Sequence, residues 1–272
     1  MSVRVLSGAV LIALVGATIW VLPSWATLIL AAVVAAIGAR EVCGLAAALG
    51  ARTSSWFVAL ASAAICTSLG LAPHVLVPSF SHFLLAAIAA LIVAAGAVVI
   101  FTAPPSKENF AGALAALAAP IYVGFPLGLL ALVQAGGTPG RAEVSWLIGM
   151  MATSDSAQYF TGRAFGRRKL APAISPAKTI EGAIGGIVAA AAAGAWLGPL
   201  AMVRTSWIEA AMLAAALAVA GMIGDLFESF LKRSAGVKDS GTLIPGHGGL
   251  LDRIDSYLFA TPAFFVYLWY LQ

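Results

Sequence analysis

Residues 224–256 read GDLFESFLKRSAGVKDSGTLIPGHGGLLDRIDS. The stretch gathers four of the five aspartates (Asp225, Asp239, Asp252, Asp255), Glu228, the cations Lys232, Arg233, Lys238 and Arg253, and His247 in a Gly-rich turn. On either side the chain turns almost wholly apolar, from Trp207 to Ile223 and from Ser256 to Leu271. Each flank approaches the roughly 20 residues that a helix needs to cross a bilayer. Polar groups this dense at a membrane edge are costly to keep, so a functional reading is the default.

The same alternation runs through the chain. Of its 272 residues 61% are hydrophobic and 10% charged, with a mean hydropathy of +0.99; soluble domains carry about 25% charged residues. The expected fold is all-α: a polytopic membrane protein of about nine transmembrane helices, with an active site at the cytoplasmic membrane interface. The spans fall near Val5–Leu22, Trp25–Ala39, Trp56–Leu71, Phe83–Phe101, Phe110–Gln134, Val144–Phe160, Ile180–Leu200, Trp207–Ile223 and Ser256–Leu271. The first, within Met1 to Ala26, imitates a secretory signal but is long enough to span. The second is short and continues past Arg40-Glu41 toward Leu49. Residues 1–272 then form one integral membrane domain, with 1–140 a hydrophobic scaffold and 141–272 the catalytic half.

Nine spans put 13 of the 15 Lys and Arg residues on one side and leave Arg141 and Arg204 on the other. The positive-inside rule places the N-terminus and the polar loops in the cytoplasm and the C-terminus outside, in a bacterial inner membrane. The net charge of +4 therefore reads as topology, and nucleic acid is not expected as a partner. All seven Trp lie near span ends, as interfacial anchors. Cys43 and Cys66 form no CxxC and read as buried small hydrophobes. His74 and His82 read as interfacial groups. Gly182-x-x-x-Gly186 permits close helix packing, and small residues leave a homodimer open.

A second polar stretch, DSAQYFTGRAFGRRKLAPAISPAKTIEG, covers 155–182. Asp155 interrupts an apolar span, where a carboxylate costs roughly 2.5–3.5 kcal/mol on insertion scales. Ser175 or Thr179 caps the helix opened by Glu181, and Lys178 is placed to meet a phosphate at that helix N-terminus. In the stretch quoted first, Asp225 and Glu228 share a helix face, and Asp252 and Asp255 repeat the spacing. Such carboxylates suit Mg²⁺, which takes one or two of them and completes its shell with water and substrate phosphate. Lys232, Arg233 and Lys238 supply positive charge, while Gly246, Gly248 and Gly249 allow close backbone approach. Interleaved carboxylates and cations suit phosphoryl or nucleotidyl transfer. The competing structural reading is a salt-bridge network tying two helix ends together. His247 binds phosphate, shuttles a proton or shapes the turn. No G-x-x-x-x-G-K-[ST], G-x-S-x-G or H-E-x-x-H motif occurs.

The run Ser229-x-Leu231-Lys232-Arg233-x4-Lys238-Asp239-x-Gly241-x2-Ile244-Pro245-x-His247-Gly248-Gly249-Leu250-x-Asp252-Arg253-Ile254-Asp255 closely resembles the hallmark of the phosphatidate cytidylyltransferases (CDP-diacylglycerol synthases). Residues 155–182 also resemble that family, with Gln158 where a small residue is usual and Ala177 in place of a Lys. The strong resemblance covers the chain from Asp155 onward. It implies an enzyme joining CTP and phosphatidate into CDP-diacylglycerol and pyrophosphate, with Mg²⁺ required and a second cation left open. On that footing Asp225, Asp252 and Asp255, with Asp155 in or beside the shell, hold the metal. Asp225, Lys238, Asp239, Asp252 and Asp255 carry catalysis, and Ser175, Lys178, Thr179, Glu181, Lys232, Arg233, His247, Gly248, Gly249 and Arg253 bind substrate.

Two enzyme readings compete: the same chemistry on an ether-linked acceptor, and a CDP-alcohol phosphatidyltransferase, whose D-x2-D-G-x2-A-R motif is missing. From another class, intramembrane carboxylates also mark ion-coupled transporters. Transporters of the inverted-repeat type show related halves, whereas every aspartate here lies in the second half.

Overall fold

A computed structural model of the chain describes residues 2–71, 80–102, 104–202, 205–244, 246 and 248–270. His74, Arg204, Pro245 and His247 lie outside the described residues, as does the His82 side chain, so the expectations placed on them are not addressed by the structure. The helices are α1 (Ser2–Trp20), α2 (Ser24–Ala48), α3 (Ser55–Gly70), α4 (Phe80–Thr102), α5 (Lys107–Ala119), α6 (Phe125–Gln134), α7 (Thr138–Phe165), α8 (Ile180–Ala201), α9 (Trp207–Ser234) and α10 (Leu251–Tyr270). Each of the nine expected spans falls on a helical segment, once α5, the π-helical turn Pro120–Gly124 and α6 are taken as one. α2 does run on through Arg40-Glu41, to Ala48.

Length and composition qualify four of these segments to cross a membrane: Ser24–Ala48, Lys107–Gln134, Ile180–Ala201 and Trp207–Ser234. Ser7–Trp20, Ser55–Gly70 and Ile88–Val98 are shorter apolar helices. Among the described residues α7 and α10 meet neither description; they are the helices that carry Asp155 and the Asp252/Asp255 pair. The chain is thus a helical, strongly apolar membrane protein. One element departs from the all-α expectation, a two-stranded antiparallel hairpin of β1 (Lys169–Ala171) and β2 (Ser175–Thr179).

Local sequence sets the helix boundaries. Ser54 accepts a hydrogen bond from the Phe57 N–H, Ser106 from Asn109 and Thr179 from Gly182, each satisfying an otherwise orphaned first-turn donor. Pro120 has no N–H to give its preceding turn, and the helix widens there into the π-turn before resuming.

The chain forms two compact units, Met1–Ala135 with Leu231–Arg253, and Gly136–Phe230 with Ile254–Gln272. In the first, Ala39, Cys43, Val58, Ala116 and Ala119 make one buried cluster, and Ile65, Leu69 and Leu91 another. α6 lies close on α3 at Gly128, where a Cβ would come within 2.9 Å of the Leu69 side chain. Cys43 and Cys66 are buried free thiols, as the sequence suggests. A cavity of about 260 Å³ in this unit is lined by Arg52, Ser54, Phe57 and Asn109, none of them a candidate site residue.

In the second unit Trp146 stacks on Phe264 with ring centroids 5.7 Å apart. This corrects the reading of every Trp as an interfacial anchor. α7 begins at Thr138, so Trp146 lies two turns inside the helix and is only 4% exposed. Trp25, Trp56, Trp196 and Trp207, by contrast, stand 62–77% exposed near helix ends.

Candidate active site

The polar residues fall into two constellations, one in each unit. In the second unit β2 carries Lys178 and ends at Thr179, whose hydroxyl caps α8. Of the two cap candidates, Thr179 is the one that does the capping. A strand held by its hairpin and closed by a helix cap leaves Lys178 little freedom of approach. Its Nζ lies 2.5 Å from Asp225 Oδ2 near the end of α9, with the two side chains 19% and 31% exposed. The contact joins the two polar stretches of the sequence directly.

Gly224 lets α10 approach this point, since a Cβ there would sit 2.5 Å from the Asp255 carbonyl oxygen. Asp255 Oδ1 accepts from the Ser256 N–H at 2.7 Å. Asp155 lies on an exposed face of α7. The second unit thus carries Asp155, Lys178, Asp225 and Asp255 on α7, β2, α9 and α10, with Lys178 and Asp225 in direct contact. Glu228, on α9, is fully buried.

Glu181 accepts from the backbone N–H groups of Arg167 and Arg168 at 3.0 and 3.2 Å. These bonds order the turn leading into β1. Gln158 packs where α8 presents Gly186; a Cβ there would collide with the Gln158 side chain. The bare glycine accommodates the amide at a position where the resemblance leads one to expect a small residue. Gln158 Nε2 donates to Ser154 Oγ at 3.1 Å.

In the first unit the centre is Asp252. Lys232 Nζ lies 2.5 Å from its Oδ1. Its Oδ2 accepts from Gly249 N at 2.7 Å, Ser240 N at 3.0 Å and Ser240 Oγ at 2.9 Å. Burial pushes the Asp252 carboxyl up, but the bonds from Lys232, Gly249 and Ser240 outweigh it and hold the group below its ordinary value. Expected above as a metal ligand, Asp252 here has both oxygens engaged in shaping the loop. Gly248 adopts φ +82°, in the left-handed region, and a Cβ would also meet Asp252 Oδ2 at 2.8 Å. Arg233 donates to the Val237 carbonyl at 3.0 Å and closes the C-terminal turn of α9. Lys238 and Asp239 are exposed along the loop, and Arg253 is exposed in the first turn of α10.

Two residues of this constellation escape a reading of the sequence by chemistry. Ser240 was hidden among stronger candidates. Glu41 sits in the apolar first half, where an Arg-Glu pair inside a span reads as a helix continuing past its membrane segment; a carboxylate kept in such surroundings was the available signal.

Among the described residues no three His, Cys, Asp or Glu side chains lie close enough to make a preformed metal site. Mg²⁺ does not need one, since one or two carboxylates suffice once substrate phosphates complete the shell. Asp225 fits that requirement: it is a hard oxygen donor, partly exposed, and already carries a cation on Oδ2 in the form of Lys178.

The cytidylyltransferase family model matches residues 2–271. The chain belongs to the cytidylyltransferase family. Among curated relatives it is 43% identical over 131 residues to the uncharacterized protein YnbB of Escherichia coli (strain K12), covering 48% of this chain and 44% of that one. It is 42% identical over 146 residues to the phosphatidate cytidylyltransferase of Brucella suis biovar 1 (strain 1330), covering 54% of each. The phosphatidate cytidylyltransferase of Bacillus subtilis (strain 168) is 40% identical over 144 residues, 53% of this chain and 54% of that one. The chain thus spans about half the length of the curated relatives it matches. Within the second unit, Lys178 of the stretch 155–182 meets Asp225 at the head of the stretch 224–256.

Proposed function

We propose that this protein transfers the cytidylyl group of CTP to phosphatidate, giving CDP-diacylglycerol and pyrophosphate, at the cytoplasmic face of a bacterial inner membrane. The observation that carries the reading is the Lys178–Asp225 contact. It joins residues 155–182, which resemble the phosphatidate cytidylyltransferases, to Asp225, which stands just before the run from Ser229 that resembles them too. Relatives named phosphatidate cytidylyltransferase support the same substrates.

A phosphatidate oxygen attacks the α-phosphorus of CTP in line; the new P–O bond forms as the bond to the β-phosphate oxygen breaks, and pyrophosphate leaves. The nucleophile is already ionised near neutral pH, so the protein's work is positioning and charge neutralisation. Asp225 and Asp255 would hold Mg²⁺, with Asp155 beside them. When bound, the ion neutralises phosphate charge that builds on the leaving group. Lys178, held by its strand and by Asp225, would bind a phosphate beside the carboxylate that would hold the ion. Asp252, with Lys232, Ser240 and Gly249, keeps that loop in shape.

The test is lipid-product formation. Purified protein is incubated with CTP labelled in the cytidine, Mg²⁺ and either phosphatidate or its ether-linked analogue, and the label reaching the lipid phase is measured. Transfer to phosphatidate that stops when Mg²⁺ is chelated is the expected result. Transfer to the ether lipid alone would replace the acceptor, and transfer to neither would sink the reading.

A further inference from the structure

Glu41 lies on α2, about 200 residues from the signature loop in sequence, in the half of the chain whose role reads as hydrophobic scaffold. Its carboxylate nonetheless accepts three hydrogen bonds from that loop. Leu250 N donates to Oε1 at 2.9 Å, and Leu251 N donates to Oε2 at 2.7 Å. Ser240 Oγ reaches Oε2 at 2.9 Å. Leu251 is the first residue of α10, so the two amides are orphan donors at that helix's N-terminus. A carboxylate there also faces the positive end of the helix dipole. α10 therefore takes a cap from a distant helix.

The loop is shaped to receive this carboxylate. A Cβ on Gly241 would lie 2.7 Å from Glu41 Oε1, and one on Gly249 would lie 2.6 Å from Oε2. Both positions belong to the motif run quoted above. The Ser240 hydroxyl lies 2.9 Å from Glu41 Oε2 and 2.9 Å from Asp252 Oδ2, with a single proton to share between them. Through that hydroxyl, Glu41 is tied to the residue that pairs with Lys232.

We infer that Glu41 is a positioning residue of the reaction: it fixes Ser240, Leu250 and the first turn of α10, which carries Asp252, in the conformation that turnover needs. The inference rests on the proposed function for its kinetic reading and on the hydrogen bonds alone for its structural one. Gln at this position sets an NH₂ group against backbone donors; Asp keeps two acceptor oxygens on a shorter arm.

The experiment compares wild type, Glu41→Gln and Glu41→Asp in three ways. CTP-dependent pyrophosphate release gives kcat and KM for each substrate. Hydrogen exchange of peptides spanning 248–252 reports on the loop, and a thermal melt reports on global stability. The expected result is a fall in kcat of about tenfold or more for Glu41→Gln, with partial recovery in Glu41→Asp. Exchange at 250 and 251 should be faster in Glu41→Gln than in wild type, with the melt little changed. Unchanged kcat, KM and exchange in Glu41→Gln would overturn the inference. So would loss of activity only in proportion to a lowered melting temperature, since a scaffold role predicts that. Wild type that turns over no CTP would count against the proposed function, and the exchange comparison would still decide the role of Glu41.

Discussion

Two ion pairs at the scale of single residues carry different work. Lys178–Asp225 is partly exposed and ties β2 to α9 within the second unit. Asp225→Asn should reduce turnover by about 10²-fold or more while leaving the fold intact, checked by steady-state assay beside a thermal melt. Lys232–Asp252 is more enclosed, with side chains 11% and 7% exposed. Asp252→Asn should cost up to roughly 3 kcal/mol of stability at neutral pH. Asp252 titrates below its ordinary value when folded. Its charged form therefore contributes stability that is present above the unfolded value, about 3.9, and is lost as pH falls through the lower folded one. Melts from pH 7 to pH 3 should show the gap between wild type and variant narrowing at the acid end; a gap independent of pH would contradict this account. Most of these charged residues were legible in the sequence, because carboxylates and cations in an apolar chain announce themselves. Their partners were not. Nothing in the residue types distinguished Asp252, bound to Lys232, Ser240 and Gly249, from Asp225, bound to Lys178.

At the scale of elements, glycine decides which helices approach and where. α7 and α8 meet at Gly182 and Gly186, where Cβ atoms would run into the Gln158 backbone and side chain. Gly186→Val should destabilise the protein by about 1–3 kcal/mol, and adding Gln158→Ala should restore part of that loss. The paired melts check it, and strictly additive losses would place the crowding elsewhere. The G-x-x-x-G spacing was readable in advance; that Gln158 was the group it accommodates required the fold. The β1–β2 hairpin was hidden for a related reason. Its residues read as a polar loop, and its strands are too short to show alternation. α2 was legible in extent but not in purpose, since a helix running past its apolar part signals nothing about what its last turns hold.

At the scale of the whole molecule, the sequence's alternation of apolar runs and polar loops matches the helical segments of the structure closely. Hydrophobicity sums over many residues, which is why the outline was the most readable feature. The division into two compact units was not readable, because residues 231–253 pack with the N-terminal unit although they lie late in the chain. Sidedness rests on the 13-to-2 bias in Lys and Arg. Single cysteines at Thr138 and Ala173 test it, since Cys43 and Cys66 are buried. A membrane-impermeant thiol reagent applied to intact cells should label Thr138→Cys and spare Ala173→Cys. The reverse pattern would invert the topology.

The most direct measurement of the central claim is pyrophosphate release by the purified protein with phosphatidate and Mg²⁺, comparing CTP with ATP, GTP and UTP, and wild type with Asp225→Asn. The account predicts release with CTP alone, requiring lipid and metal together, and its loss in the variant. Full release by Asp225→Asn, or release from wild type that is indifferent to the nucleotide, would contradict it.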